Sequence, residues 1–406
     1  MSTAALLRPR PVHGAADLLA AWLPGSFFYT SPRGTLLADG VHALVAAGGV
    51  THAEAARAAL ADAAAAGIAD PVVVGAIGFR PDGPASLVVP AVVRRAGPGA
   101  GATTPPAAPS DLDWTVTERP QGSVYVDAVR RALDLIGDDT LRKVVLARSL
   151  ELSASRPVPV PTVLARLAAA DPAAHAFAVD VSAPGDLATR TLLGASPELL
   201  VRRHGDDVVA NPLAGSAPRS ADPAEDRRRA AALRRSDKDL REHAVTVEQV
   251  AAILRRFCTD VTAPTTPQVI GTATMWHLSS VIRGRLVDRS VSSLTLAEAL
   301  HPTPAICGVP TDRARDVIAR LEPVDRGYYS GLVGWCDADG DGEWVVTIRC
   351  AEVCDRTVRL FAGAGVVVGS DPEAELAETR AKFDTLLRAL GLSVEDLPDG
   401  TPEEDQ

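Results

Sequence analysis

Two acidic pairs carry the first chemical signal in this chain. Asp239 and Glu242 lie three residues apart in a stretch of helical periodicity, and so do Glu375 and Glu378, which puts each pair on one helix face. At about 100° per residue, both pairs sit beside the apolar stripe of their helix rather than opposite it. Taken singly, either pair reads first as a solvated helix face, and Glu378 with Lys382 as an ordinary i,i+4 ion pair. If the two helices converge, four carboxylates repel one another unless a divalent cation neutralises them. An all-oxygen donor set suits Mg²⁺.

Three single residues add to this. Lys143 stands in KVVLAR (143 to 148), where strand alternation places it on the face of Val145 and Ala147. A lysine on an apolar face is desolvated, which is one route to a general base; the plainer reading is a strand-end lysine reaching for water. Glu198 sits between a turn and an apolar strand. Partial burial there would suit it to general acid work, although an edge-strand glutamate is equally ordinary. Arg349 interrupts an apolar run, so an anionic partner is expected for it, from a ligand or from the protein. His277 and His301 have apolar or proline neighbours and no ligand spacing, which favours core or hydrogen-bonding roles over metal binding.

Two other motifs fail on inspection. Asp337, Asp339, Asp341 and Gly342 match the first half of an EF-hand loop, but the twelfth position is Ile348 instead of glutamate and the flanks read as strands. The glycines of GAGVVVG (363 to 369) resemble a dinucleotide fingerprint, yet they are embedded among β-branched residues. They read better as strand glycines that let something approach the backbone closely.

The elements that must position these residues follow from periodicity. Helices are expected over 15–22, 52–66, 124–136, 224–257 and 372–390, and strands over 72–79, 86–93, 142–152, 198–202, 331–335, 343–351 and 358–368. Strands with interspersed helices, without strict βαβ alternation, indicate an α+β fold with antiparallel sheets. The Gly, Pro, Ala and Thr-rich stretch 97–110 reads as a loop. With 406 residues, 47% hydrophobic and 23% charged, the chain is an ordinary globular protein. Its 41 basic and 51 acidic residues give a net charge of −10, which disfavours nucleic acid and anionic membranes as partners. Five cysteines without CxxC spacing suggest neither a disulfide framework nor a zinc cluster. No export signal or membrane span is read, so a cytoplasmic protein is expected.

The stretches KVVLAR, LLGASPELL (192 to 200), NPLAGSAPR (211 to 219), SDKDLREH (236 to 243), TMWHLSS (274 to 280), LHPTPAICGVP (300 to 310), LVGWCDADGDGEWVVTIRCAE (332 to 352), RLFAGAGVV (359 to 367) and ETRAKF (378 to 383) together resemble the chorismate-utilising enzymes. Among these, the resemblance is to isochorismate synthases of the siderophore, 2,3-dihydroxybenzoate type, over at least residues 120 to 391. It implies two large antiparallel sheets packed together with helices outside, the active site in a cleft, and residues 1 to 406 as one catalytic unit with a flexible tail at 392 to 406.

The resemblance also implies roles. Lys143 would activate the water that attacks C2 of chorismate, and Glu198 would protonate the departing C4 hydroxyl. Glu242 and Glu378 would bind Mg²⁺ directly, and Asp239 and Glu375 would hold the metal's waters. Arg349 and Lys382, with backbone near Gly363 and Gly365, would surround the substrate's carboxylates. Gly215, Ser216, His277, Tyr329 and Ile348 would line the pocket. Lys143 favours water over ammonia as nucleophile, and Ala305, where salicylate synthases resemble one another in having threonine, favours stopping at isochorismate. Ile306 and Tyr329 depart from the commoner leucine and phenylalanine and bear on pocket shape. A salicylate synthase, an isochorismate synthase for menaquinone and a non-catalytic chorismate-binding relative are the competing readings; a monomer is expected.

Overall fold

The computed structural model describes residues 14–99, 105–109, 112–137, 140–183 and 185–397. Two large antiparallel sheets organise the chain, of ten and nine strands, with a three-stranded sheet beside them. At the heart of the ten-stranded sheet, Lys143–Ala154 pairs along its length with Thr357–Val367, so that Val145 faces Gly365 and Ala147 faces Gly363. The nine-stranded sheet includes Leu199–His204, Gly342–Val346, Leu332–Asp337 and Val72–Ile77 as consecutive neighbours. Strands such as Val72–Ile77 and Lys143–Ala154 are rich in Val, Leu and Ala because they are buried on both faces.

The largest apolar cluster fills the space between the sheets, joining Tyr29, Phe177 and Leu192 of one to Val74, Val201 and Trp344 of the other. A second packs the outer face of the ten-stranded sheet, through Leu150, Leu152 and Leu193, against Leu164, Phe383 and Leu387 of the helices Val160–Ala170 and Pro372–Leu390. Each fully buried Val or Leu contributes about 1.5–3 kcal/mol by leaving water. Val144 and Leu146 point into a third cluster with Tyr125 and Val129 of the helix Gly122–Gly137, which leaves Lys143, Val145 and Ala147 on the opposite face.

Several expected boundaries move. The helix expected over 224–257 is two, Pro223–Leu233 and Asp237–Leu254, because the Ser236 hydroxyl accepts from the Asp239 N–H and starts the second anew. The strand expected over 343–351 is also two, Gly342–Val346 and Cys350–Cys354, in different sheets. Arg349 therefore does not interrupt a strand; it occupies the crossover, with φ of 50°. The aspartate-rich connector closes the hairpin Leu332–Asp337/Gly342–Val346, where the Asp337 carboxylate accepts from the Asp339 and Asp341 N–H groups. At the C-terminus, residues 392–397 are not a loose tail: a 3₁₀ turn at Val394–Asp396 leads to Leu397, which is buried in the helical cluster. The rest of that expected tail, and residues 100–104 and 110 of the expected loop, lie outside the described residues.

Candidate active site

Two crossovers between the sheets build one wall. The chain leaves the ten-stranded sheet at Ser196 and enters the nine-stranded sheet at Leu199, with Glu198 between them; it returns by way of Thr347, Ile348 and Arg349. These neighbouring passages are stitched together, since the Val346 N–H donates to the Glu198 carbonyl at 3.1 Å and the Ala195 N–H to the Arg349 carbonyl at 3.1 Å. The Ser196 hydroxyl donates to the Val346 carbonyl at 2.6 Å. Glu198 and Arg349 are thus held beside one another at the points where both sheets give way.

Glu198 is 2% exposed, and its Oε1 has no hydrogen-bond partner. Burial pushes its carboxyl up to about 7, against a backbone hydrogen bond at Leu213 and the charges of Lys143, Arg349 and Lys382, which pull the other way. An acid poised at that value exchanges a proton readily near neutrality. Arg349 is buried, with Nη2 3.4 Å from His277 Nε2. Burial, and then the charges of Arg349 and Lys382, hold the His277 imidazole well below its usual range, so it is neutral.

Lys143 is 3% exposed and its Nζ lies 2.8 Å from Glu242 Oε1. The register places glycine where the lysine needs room: a Cβ on Gly365 would stand 2.7 Å from Glu242 Oε1 and 3.2 Å from Lys143 Cε. This is the close approach that the strand glycines foretold. Gly215, at φ of 78°, plays the same part for the helix Asp237–Leu254, because a Cβ there would come within 2.9 Å of Asp239 Cβ. Ser216, paired with His277 across the small sheet, donates to Glu378 Oε1 at 2.8 Å. Lys382 Nζ reaches Glu378 Oε1 at 2.6 Å and the Gly363 carbonyl at 2.8 Å. Tyr329 stacks on Phe361 at 5.1 Å, and its hydroxyl would touch a Cβ on Gly363.

The two acidic pairs do converge. Asp239 is raised by burial and by the charges of Glu242 and Glu378, and Glu375 by burial and the charge of Glu378. Burial would raise Glu378 as well, but Lys382 and the Ser216 hydroxyl outweigh it and bring the carboxyl below its usual range. Three lysines divide this negative charge, the third being Lys238, whose Nζ lies 2.7 Å from Glu375 Oε1. Lys238 stands within SDKDLREH with no local partner in the sequence; only the meeting of two helices supplies one. No three His, Cys, Asp or Glu side chains among the described residues form a cluster able to hold a metal ion. The donor set nonetheless suits a hard divalent cation, being four carboxylates in one neighbourhood, once Lys143 and Lys382 release Glu242 and Glu378.

The remaining expected residues lie around this centre. Ala305 is half-buried in the turn after the helix Ser293–Leu300, and the carbonyl of nearby Cys307 accepts from the Val145 N–H on the Lys143 strand. Ile348 is buried in the return crossover. His301 is drawn away from the centre: its Nε2 meets the Ser330 carbonyl at 2.8 Å, which makes it structural, as expected. Behind the Lys143 strand, a buried pair, Arg326 with Glu322, was not anticipated. Arg326 Nη2 donates to the Val145 carbonyl and Glu322 Oε1 accepts from the Ala147 N–H, which satisfies the stretch of strand edge between the partners Gly308–Val309 and Trp114–Arg119.

Comparison with known proteins places this geometry among relatives. The family described as chorismate binding enzyme matches residues 99–391. Isochorismate synthase DhbC of Bacillus subtilis is 50% identical over 384 residues, covering 93% of this chain and 96% of its own. The vibriobactin-specific isochorismate synthase of Vibrio cholerae is 40% identical over 375 residues, with 91% and 93% covered. A crystal structure from Bacillus anthracis, provisionally named a 2,3-dihydroxybenzoate-specific isochorismate synthase, DhbC, superposes with a TM-score of 0.87 at 44% identity, covering 93% of this chain and all of that one.

Proposed function

Since this chain belongs to the family of chorismate-binding enzymes, we infer from its relatives and its site that it is an isochorismate synthase, an isomerase acting on chorismate. The observation that carries the chemistry is Glu198, a buried carboxyl with one orphaned oxygen and a proton affinity near neutrality, set in the same cleft as a buried lysine. Lys143 takes a proton from water as the oxygen bonds to C2; the ring double bond shifts, and the C4 hydroxyl leaves as water with the proton of Glu198. One water enters and one departs, so the product is an isomer. Arg349 and Lys382 supply positive charge for the substrate's carboxylates, and neutral His277 spaces them without adding charge. Gly215, Gly363 and Gly365 keep the cleft open, while Ser216, Ala305, Tyr329 and Ile348 shape it.

The reading includes Mg²⁺, held by Glu242 and Glu378 with Asp239 and Glu375 behind them. The ion would supply positive charge for an anionic substrate in an acidic wall. Glu242 is also the partner of Lys143 at 2.8 Å, so the carboxylate that would hold the ion also positions the base. The DhbC relatives point to 2,3-dihydroxybenzoate formation for a siderophore as the use of the product. The same reading has the protein work as a cytoplasmic monomer without nucleic acid or membrane. No helix among the described residues is long and apolar enough to cross a membrane.

The test is to incubate purified protein with chorismate and Mg²⁺ and identify the products. Isochorismate is expected, whereas near-stoichiometric pyruvate and salicylate would show a salicylate synthase. Lys143→Ala should abolish turnover and spare ligand binding; unchanged turnover would remove the assigned base, and no turnover by the native chain would favour a non-catalytic relative.

A further inference from the structure

Beside the catalytic crossover, a second polar chamber opens between strands of the two sheets. Two cavities, of about 300 and 290 Å³, meet at Arg33, Arg202 and Glu343. Its floor is built of buried polar groups: the Tyr29 hydroxyl donates to Glu343 Oε1 at 2.9 Å, and His175 Nε2 lies 3.5 Å from the same oxygen. The catalytic scheme uses none of them.

Charge around this chamber does not balance. Arg203 is taken up by the Gly205 and Val291 carbonyls and lies 3.6 Å from Asp341, which also meets His204 at 3.1 Å. Glu343, buried under Tyr29 and His175, and Asp171, which lines the second cavity, are the remaining acids against the guanidinium groups of Arg33, Arg95 and Arg202. Arg95 lies over the Trp335 ring at 4.9 Å. Among the described residues, Arg33, Arg95 and Arg202 have no carboxylate at ion-pair distance. Half-buried Arg202 is held below its usual range by burial and then by the charge of Arg33; Glu343 offsets this only in part, and Arg283 adds a further like charge. In a chain of net charge −10, a local excess of guanidinium facing buried polar groups calls for a counter-charge from outside the fold.

We propose that this chamber is a second ligand site, in which Arg33 and Arg202 clamp a small multivalent oxyanion carrying phosphate or carboxylate groups, with Arg95 at the rim. None of Glu198, Arg349 and Lys382 lines either cavity, although Pro197 and Leu199, which flank Glu198, line the second, so the chamber adjoins the catalytic crossover without sharing its charged groups. Planar guanidinium forks match both phosphate and carboxylate, and the two sources are told apart by experiment.

Inorganic phosphate and citrate are titrated separately into the full-length protein by calorimetry at fixed ionic strength. Saturable binding of at least one is expected; phosphate alone marks a phosphorylated ligand, and citrate alone a polycarboxylate. The double variant Arg33→Ala/Arg202→Ala should weaken that binding at least tenfold with its melting temperature kept, while Arg349→Ala leaves it unchanged. Should the double variant fail to fold, Arg33→Gln/Arg202→Gln takes its place with the same expectation. Absence of saturable binding, native affinity in the double variant, or loss of binding in Arg349→Ala would each overturn the site.

Discussion

Glu198 owes its properties to a position that no neighbouring residue in the sequence could impose. Its carboxyl, near 4.5 in an unfolded chain, rises to about 7 on folding because both sheets enclose it. The protonated form is therefore favoured by the native state. Its contribution to stability is complete below about 4.5 and is lost as pH rises through about 7, at a cost of about 3 kcal/mol. Glu198→Gln should escape this loss, so the difference in melting temperature between variant and native protein should widen in the variant's favour from pH 5 to pH 8. A constant difference would refute the burial argument. Turnover toward isochorismate should likewise decline above about pH 7, as the acid loses its proton, by about tenfold per pH unit when protonation limits the rate. Lys143 was legible on the correct face because strand alternation is local; its partner Glu242, 99 residues away, was not.

At the scale of elements, glycine and capping residues set the geometry. Gly365→Ala would drive a methyl group into Glu242 and Lys143, separating them while leaving both sheets intact. Turnover should fall by at least about tenfold, as expected for a small misplacement of a catalytic group, with an unchanged circular dichroism spectrum. Native turnover in this variant would show that the Lys143 strand tolerates displacement. Ser236 is the N-cap of the helix that carries Asp239 and Glu242. Ser236→Ala should cost about 1 kcal/mol in denaturant unfolding, and an unaltered midpoint would count against the cap. The sequence read one continuous helix there because its charged and alanine-rich residues suit either side of the break; the cap became visible only with the Asp239 N–H turned to the Ser236 hydroxyl.

For the molecule as a whole, metal binding and folding are linked. Four carboxylates gathered from two helices repel in the absence of a cation, and three lysines relieve that repulsion only in part. If Mg²⁺ binds the native fold alone, it should stabilise the protein by about 2.7 kcal/mol at a hundred times its dissociation constant. Melting temperature should therefore rise with Mg²⁺ in the native chain and much less in Glu242→Gln, which should also weaken the activation of turnover. An equal rise in both would move the ion elsewhere. The fold makes this linkage possible because the two helices bearing the acids both pack against the strand Leu213–Pro218, which brings their acidic faces together.

The sequence by itself determined the fold class, the faces of Lys143 and of the paired acids, and the glycines that clear space, because periodicity and backbone freedom are local properties. Tertiary structure alone decided that Glu198 and Arg349 stand at adjoining crossovers, that Lys143, Lys238 and Lys382 pair with the acids, and that Arg33 and Arg202 share a chamber. Those outcomes depend on contacts between residues far apart in the chain, and on the burial that gives such contacts their energy.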